Sequence, residues 1–248
     1  NLVLPEIYLE DEPEKRIKEI NRQMIDYHQK GFLEPLGEGL VLIERKTEDN
    51  QIRLGLMVAI DLEVYDYKKG TKPLIRATEE TIENRIPPRV MIRKDAPLEI
   101  PHILVLIHDP DKTVIEPFAL AIESLEKVYE TDLMKNGGHV AAYRITGEEH
   151  LTQCADAFHA LKATIDPKNP LLFAMGDGNH SLATAKACWE DLKQKLPQTT
   201  LQNHPARYAL VELENIFDEN LFFEPIHRVL FSIQRESFLK ELAKYCTS

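Results

Sequence analysis

Leu171–Trp189 has the sequence LLFAMGDGNHSLATAKACW, and this stretch decides the fold. The five apolar residues Leu171–Met175 predict a buried strand. The polar run Gly176–Ser181 (GDGNHS) predicts a turn, with a glycine on each side of Asp177. Apolar residues then recur at helical spacing over Leu182–Leu196, which predicts a helix that packs back on the strand. A strand, a turn and a helix in this order indicate a sheet with helices packed against it.

The rest of the chain carries similar patterns. The first third favours a hairpin and the remainder alternates strands with helices, which predicts an α+β class with a mixed sheet flanked by helices. Helices are expected at residues 12–30, Ala77–Arg85, Val114–Tyr129, Glu148–Ile165, Leu182–Leu196 and from Glu236. Strands are expected at Leu40–Arg45, Leu54–Val64, Arg89–Arg93, Ile103–Ile107, His139–Ile145, Leu171–Met175, Arg207–Leu213 and near Leu221–Phe231. The pair Pro87-Pro88 is expected to end the second helix.

The composition limits the classes of function. The 248 residues carry a formal net charge of −11. Nucleic-acid binding needs a basic face, so this charge argues against nucleic-acid partners. The three cysteines are widely spaced and predict no disulfide framework. No apolar run approaches the ~20 residues that cross a bilayer, and no signal peptide is recognisable. We therefore expect a cytoplasmic protein without a membrane partner, whose oligomeric state the sequence leaves open.

Residues 1–248 are expected to form a single α/β-type domain, with a possible weak subdivision near residue 70. The segment Gly70–Pro73 is the one linker candidate there. Because the first residue is Asn rather than Met, and both ends look continuous with further sequence, the chain is interpreted as a fragment of a longer protein.

The GDGNHS turn combines groups that bind an anion. The N-terminus of the following helix presents backbone N–H groups, and Asn179 or Ser181 can cap it. His180 can donate to a phosphate when charged, or bind a metal when neutral. Asp177 repels a bare phosphate, so its useful roles are as a magnesium ligand or a general base. The simpler interpretation, an Asp-Gly turn before an ordinary capped helix, stays open.

A second group of charges surrounds the double proline, within Arg76–Arg93. Because prolines fix the direction of the chain, Arg85 and Arg89 could be aimed at an anion. Glu79 is the best-placed carboxylate outside the GDGNHS turn for a general base. A solvated helix end, whose charges pair with each other, is an equally good interpretation.

Three further motifs favour structural roles or leave the role open. His108–Lys112 (HDPDK) can supply metal ligands, but Asp-Pro favours a turn, with Asp111 or Thr113 capping the next helix. Asn136–His139 (NGGH) is typical of a tight turn. The alternative is that His139 faces a site. Glu224–Arg228 (EPIHR) is either an edge strand with solvated charges or a contribution to a site.

Two long runs resemble a known family. The chain is similar to the bacterial domain-of-unknown-function family numbered 1015. The similarity is carried by Gly176–Ala187 (GDGNHSLATAKA), by Ile75–Arg93 (IRATEETIENRIPPRVMIR) and by the segments around them. The resemblance extends along nearly the whole chain. That family has no established activity, so the resemblance by itself implies no reaction.

A more distant resemblance concerns the turn itself. Many members of that family carry an aspartate-glycine-histidine-histidine-arginine turn, and free-serine kinases of the ParB/sulfiredoxin-like superfamily hold nucleotide phosphates at a similar turn. Asp177 and Gly178 match it, and His180 matches its second histidine. Asn179 replaces the first histidine, and Ser181 replaces the arginine, which is a bidentate phosphate donor. The resemblance implies a ParB/sulfiredoxin-like element around residues 171–196.

These features together predict a nucleotide-dependent phosphotransferase, similar to a free-serine kinase, that uses Mg²⁺ and ATP or ADP and acts on a small hydroxyl metabolite such as serine. The expected catalytic residues are Asp177, His180 and Glu79, with Asp177 also as the metal ligand. Because the turn lacks the arginine, the positive charge is expected to come from elsewhere. The expected nucleotide contacts are Gly176, Gly178, Asn179, Ser181, Arg85 and Arg89.

Two alternatives remain open at this stage. The same pocket could bind a nucleotide or metabolite as a regulatory module without turnover, which would show as ligand-induced stabilisation alone. The chain could instead be a metal-dependent hydrolase that uses Asp177, His180, His108 and Asp109. That function requires the four side chains to converge, because metal–ligand bonds are only ~2 Å long.

Overall fold

The chain adopts an α+β fold in a computed structural model that describes residues 2–9, 11–47, 50–79, 81–100, 102–222 and 229–246. Its centre is a mixed sheet to which the described residues contribute nine strands. The predicted class, with a mixed sheet flanked by helices, is therefore confirmed. The ParB/sulfiredoxin-like character of the element around residues 171–196 stays a prediction.

The elements of the described residues have the following bounds. The helices are α1 (Pro13–Gln29), α2 (Ile86–Arg93), α3 (Glu116–Leu120), α4 (Glu148–Thr164), α5 (Asn179–Lys195), α6 (Gln198–Leu201) and α7 (Arg235–Cys246). The strands are β1 (Leu40–Lys46), β2 (Ile52–Asp61), β3 (Tyr65–Asp66), β4 (Ile75–Arg76), β5 (Leu104–Ile107), β6 (Glu126–Asp132), β7 (His139–Ile145), β8 (Phe173–Asp177) and β9 (Tyr208–Asn215). None of these helices is both long enough and apolar enough to cross a membrane.

The strands follow the order β3-β4-β8-β5-β9-β2-β1-β7-β6 across the sheet. Strand β5 pairs antiparallel with β8 on one side and parallel with β9 on the other. Strand β9 pairs antiparallel with β2, and β1 and β2 form the predicted antiparallel hairpin. Strands from both sides of residue 70 thus belong to one sheet.

The two faces of the sheet differ, as strand β9 shows. Successive side chains of a strand point to opposite faces. Val211 joins the main apolar core, together with Leu161 of α4 and Trp189 of α5. Glu212 and Glu214 therefore lie on the other face, where they are 2% and 1% exposed. This second face also carries a smaller apolar cluster, so it combines buried charge with apolar surface.

The double proline begins a helix instead of ending one. Pro87 and Pro88 lie in the first turn of α2, where proline is tolerated because the N–H groups of that turn have no acceptor within the helix. The predicted helix Ala77–Arg85 is wrong except for a 3₁₀ turn at Glu83–Arg85. The predicted strand Arg89–Arg93 is also wrong, because these residues are helical.

The predicted helix over Val114–Tyr129 is wrong beyond its first half. Helix α3 ends at Leu120, and strand β6 begins at Glu126 and pairs antiparallel with β7. The backbone hydrogen bonds that β6 gains along β7 override the local preference for helix. By contrast, the predicted elements that correspond to α1, α4, α5, α7, β1, β2, β5, β7, β8 and β9 overlap the observed ones.

One predicted strand falls mainly on residues that the structure does not describe. Residues 223–228 lie outside the described residues, and with them the whole Glu224–Arg228 motif. The flanking parts of the predicted Leu221–Phe231 strand, residues 221–222 and 229–231, are not in a strand.

The HDPDK motif forms the predicted turn, but the residue that organises it is Asp109. Asp109 is fully buried, and its Oδ2 accepts hydrogen bonds from the backbone N–H groups of Thr113 (2.6 Å) and Val114 (2.9 Å). Asn215 Nδ2 donates to the carbonyl oxygen of Asp109 at 2.8 Å. Asp111 or Thr113 was expected to cap the next helix, but α3 follows Ile115 without a side-chain cap among the described residues. The turn interpretation is thus confirmed, and the capping expectation is wrong.

The Asp109→Ala variant should be destabilised by about 1–3 kcal/mol, because two backbone N–H groups, one buried and one part-buried, lose their acceptor. Urea unfolding of the whole chain measures this change. Asp111→Ala is the matched control and should stay within about 0.5 kcal/mol of the wild type, since Asp111 is exposed. Equal stability of the two variants would contradict the role assigned to Asp109.

Candidate functional site

Strand β8 and helix α5 meet at Gly178. Gly176 and Asp177, which were predicted as part of the turn, belong to the end of the strand. Gly178 has a left-handed backbone (φ +83°), and a Cβ atom there would lie 3.2 Å from the Cα of Ile103 and 3.3 Å from the carbonyl oxygen of His102. Both the conformation and this close approach favour glycine.

The start of helix α5 has no side-chain cap among the described residues. The expectation that Asn179 or Ser181 caps this helix is therefore wrong, because Gly178 occupies the capping position and offers no side chain. Helix geometry leaves the first N–H groups without acceptors inside the helix. This end of α5 thus has the donor groups that bind an anion.

Asn179 is buried directly at this helix start. It is 6% exposed, and its Oδ1 has no hydrogen-bond partner within the described part of the chain. Thr81, which is 9% exposed, has a buried Oγ1 that lacks a partner among the same residues. Buried polar groups are normally paired, so each unpaired one requires an explanation such as a bound ligand, ion or water.

Asp177 is exposed beside this helix start. Its Oδ1 accepts a hydrogen bond from the backbone N–H of Gly178 at 2.8 Å. A carboxylate has about four acceptor sites on its two oxygens. Asp177 therefore keeps acceptor capacity for a cation or a hydroxyl proton.

Two hydrogen bonds tie the segment after strand β4 to the β8–α5 junction. Thr78 Oγ1 donates to the carbonyl oxygen of Met175 at 2.8 Å. The backbone N–H of Ile82 donates to His180 Nε2 at 3.3 Å. This bond engages His180 Nε2 as an acceptor, and the catalytic role expected for this histidine stays a prediction.

The contact at Ile82 also limits where the predicted residues Glu79 and Arg85 can lie. Each lies three residues from Ile82 along the chain, so neither Cα can be more than about 11 Å from that of Ile82. Arg89 Nη1 donates to the carbonyl oxygen of Arg85 at 2.9 Å, on helix α2, which packs along α5. Their contacts with a nucleotide stay predictions.

His108 and Asp109 do not join this site. Asp177 lies opposite Leu104 at the start of β5, whereas His108 follows the other end of the same strand. Four residues of strand span about 13 Å, which is too far for shared metal coordination. The described residues contain no group of three His, Cys, Asp or Glu side chains that could hold a metal ion. The convergence that a metal-dependent hydrolase needs is therefore not found among them.

Glu212 is the centre of a charge cluster on the second face of the sheet. Its Oε2 lies 2.5 Å from His102 Nε2 and 3.6 Å from Arg45 Nη2. The carboxylate lies over Gly55, where a Cβ atom would be 2.1 Å from Glu212 Oε1. Burial raises the pKa of Glu212. The hydrogen bond from His102 and the charge of Arg45 lower it by more than burial raises it, so the pKa of Glu212 lies below the usual range.

Glu214 is the second buried carboxylate of the cluster, and it is less well paired. Arg53 Nε lies 2.8 Å from Glu214 Oε1, but neither atom makes a well-directed hydrogen bond within the described residues. The contact is therefore mainly coulombic. Burial raises the pKa of Glu214 to about 7, and the neighbouring Glu212 charge adds to this effect while Arg53 opposes it.

The charge cluster was missed at the level of sequence. The segment Ala209–Asn215 alternates apolar residues with two glutamates, a pattern that places both carboxylates on one face of a strand. That signal is visible, but it normally indicates a solvent-exposed face. Their burial depends on Arg45, Arg53 and His102, which are distant in the chain.

A polar cleft of about 330 Å³ lies near the other end of α5. Its size suits a small ligand. However, its main charged groups pair with each other: Lys193 with Glu63 at 2.9 Å, and Arg207 with Asp61 at 2.6 Å. Trp189 in its wall also donates its indole N–H to Glu63. The paired charges indicate a structural role for this region.

The comparisons with known proteins give one result. The family model described as "Protein of unknown function (DUF1015)" matches residues 1–248, so the chain belongs to the DUF1015 family. This confirms the resemblance to family 1015, while the more distant similarity to free-serine kinases stays a prediction. No curated protein and no solved structure matches the chain.

Replacing Glu214 with glutamine should change how stability depends on pH. The pKa of Glu214 in the folded chain (about 7) lies above the ordinary value of 4.5, so the native state binds this proton more tightly than the unfolded chain does. The resulting stabilisation is complete below the ordinary value and is lost as pH rises through the folded value. The wild type should therefore lose stability relative to Glu214→Gln between about pH 5 and about pH 8.

Urea unfolding at several pH values measures this difference. Glu219→Gln is the control, because that side chain is 90% exposed, and its pH dependence should follow the wild type. Parallel curves for the wild type and Glu214→Gln would show that Glu214 titrates normally in the folded protein.

Proposed function

We propose that this member of the DUF1015 family is a nucleotide-dependent phosphotransferase that acts on a small hydroxyl metabolite, with serine as the first candidate. The observation that carries the proposal is the start of helix α5. It combines a left-handed Gly178 and no side-chain cap with a buried Asn179 Oδ1 that lacks a partner, all among the described residues.

The helix start fits the phosphates of a nucleotide. The N–H groups of the first turn point out of the helix, and together with the positive end of the helix dipole they favour an anion. Because Gly178 occupies the capping position without a side chain, no side-chain cap competes with a phosphate at this helix start. An unpaired acceptor such as Asn179 Oδ1 needs a donor, and a hydroxyl or ammonium group of the second substrate would supply it.

Asp177 fits a magnesium ion at the same place. Mg²⁺ prefers oxygen ligands and is commonly held by one or two carboxylates together with substrate phosphates. Asp177 is exposed next to the helix start and would contribute such a ligand. Bound there, Mg²⁺ would neutralise the charge that accumulates on the transferred phosphoryl group.

The remaining predicted residues have roles that fit their positions. His180 would hold Ile82 beside the junction, because its Nε2 accepts the bond from the Ile82 N–H group. Arg85 and Arg89 lie on the continuation of that segment and are the nearest predicted source of positive charge for the phosphates. Glu79 is a candidate to accept the hydroxyl proton.

The first test uses phosphorus NMR to measure whether the whole chain consumes ATP or ADP in the presence of Mg²⁺ and serine. Asp177→Asn should abolish turnover because the amide binds Mg²⁺ poorly. The helix start is unchanged in this variant. Nucleotide should therefore still raise its melting temperature.

Asp191→Asn is the matched control for this test. Asp191 is on the same helix, where it pairs with Lys195, and its loss should leave turnover at the wild-type level. A wild type that neither consumes nor binds ATP or ADP would overturn the proposal. Binding without turnover would favour a regulatory module.

A further inference from the structure

We infer that His102 is the general base of this site and that the buried carboxylate of Glu212 positions it. This inference rests on the proposed phosphotransferase function. It assigns to His102 the proton transfer for which Asp177 and Glu79 were the sequence-based candidates, and it leaves Asp177 with the magnesium ion.

The backbone of His102 lies against the helix start. Its carbonyl oxygen is 3.3 Å from the place where a Cβ on Gly178 would be. Leu104, two residues after His102, lies opposite Asp177 where β5 pairs with β8. The backbone of His102 therefore lies beside Gly178, while its ring reaches Glu212 on the neighbouring strand β9.

The ring of His102 has the arrangement of an oriented base. Its Nε2 lies 2.5 Å from Glu212 Oε2, and the side chain is 50% exposed. An ionised carboxylate only accepts hydrogen bonds, so the proton of the neutral ring resides on Nε2. Nδ1 then carries the lone pair, and it has no hydrogen-bond partner among the residues that the structure describes.

Glu212 is well suited to hold this ring. It is buried in the middle of the sheet, over Gly55, and Arg45 lies 3.6 Å from the oxygen that His102 contacts. The hydrogen bond and the nearby cation keep the pKa of Glu212 below its usual range despite burial. The carboxylate is therefore ionised at neutral pH and stabilises the ring when it becomes charged.

The reaction step balances with these groups. The substrate hydroxyl oxygen forms a bond to the terminal phosphorus of the nucleotide while the bond from that phosphorus to the bridging oxygen breaks, which releases ADP from ATP or AMP from ADP. The hydroxyl proton moves to Nδ1 of His102. The imidazolium is stabilised by Glu212, and the half-exposed ring returns the proton to water.

The test compares variants that separate basicity from structure. His102→Gln keeps an N–H donor for Glu212 but has no basic nitrogen, so kcat should fall about 100-fold to 10,000-fold while nucleotide-induced thermal stabilisation is retained. His102→Ala should show the same loss, and added imidazole should restore part of the activity. Glu212→Gln should lower kcat with little change in the KM for nucleotide, because Glu212 only positions the base.

His139→Ala is the matched control, since His139 Nδ1 lies 2.8 Å from the carboxylate of Asp132, in another histidine–carboxylate pair. This variant should keep wild-type kcat. Nitrogen NMR of the whole chain gives a second readout without turnover, because the proton on His102 Nε2 should be lost from that position in Glu212→Gln.

The outcomes distinguish the two proposals. Wild-type kcat in His102→Gln, or no rescue of His102→Ala by imidazole, would overturn the assignment of His102 while leaving phosphotransfer intact. A wild type without any phosphotransfer would overturn the proposed function, and the assignment of His102 with it. Wild-type and Glu212→Gln spectra with the same ring tautomer would show that Glu212 does not position this histidine.

Discussion

Strand β5 is hydrogen-bonded on both sides, and its two ladders place Asp177, Leu104 and Glu212 in one row. Neighbouring strands lie about 4.8 Å apart, so the Cα atoms of Asp177 and Glu212 are separated by about 10 Å. His102, just before β5, spans this gap with its backbone against Gly178 and its ring on Glu212. The whole arrangement depends on this register, because a shift of one residue would turn Glu212 into the apolar core.

The second face of the sheet buries two carboxylates, and their surroundings differ. Glu212 has a hydrogen bond from His102 and a nearby arginine, which outweigh the loss of water and keep its pKa low. Burial raises the pKa of Glu214 to about 7, because the mainly coulombic contact with Arg53 does not offset the loss of water. Buried ion pairs contribute little net stability. Perturbed carboxylates of this kind are instead typical of functional sites, which agrees with a role for the cluster beyond folding.

Elements with a clear periodic or apolar pattern could be predicted, whereas the polar strand β6 could not. Helix α4 was expected at Glu148–Ile165 and is observed at Glu148–Thr164. The helical spacing of its apolar residues is a property of the segment itself. The residues Glu126–Asp132 were expected in a helix and form a strand, because the β7 ladder supplies hydrogen bonds that no local pattern reveals. Pro87-Pro88 shows a third case, in which the same residues permit either the end or the start of a helix.

The sequence by itself determined the strand–glycine–helix junction, because an apolar run, a glycine and helical spacing are all properties of neighbouring residues. It also predicted an anion site there, which stays a prediction, and it singled out Glu79 and Arg85, which lie within or next to the segment that contacts the junction. The pairing of His102 with Glu212 was decided by the tertiary structure, since the two residues are 110 positions apart and meet only when β5 joins β9. Which charges are buried depends on sheet register, and register arises from contacts between distant segments.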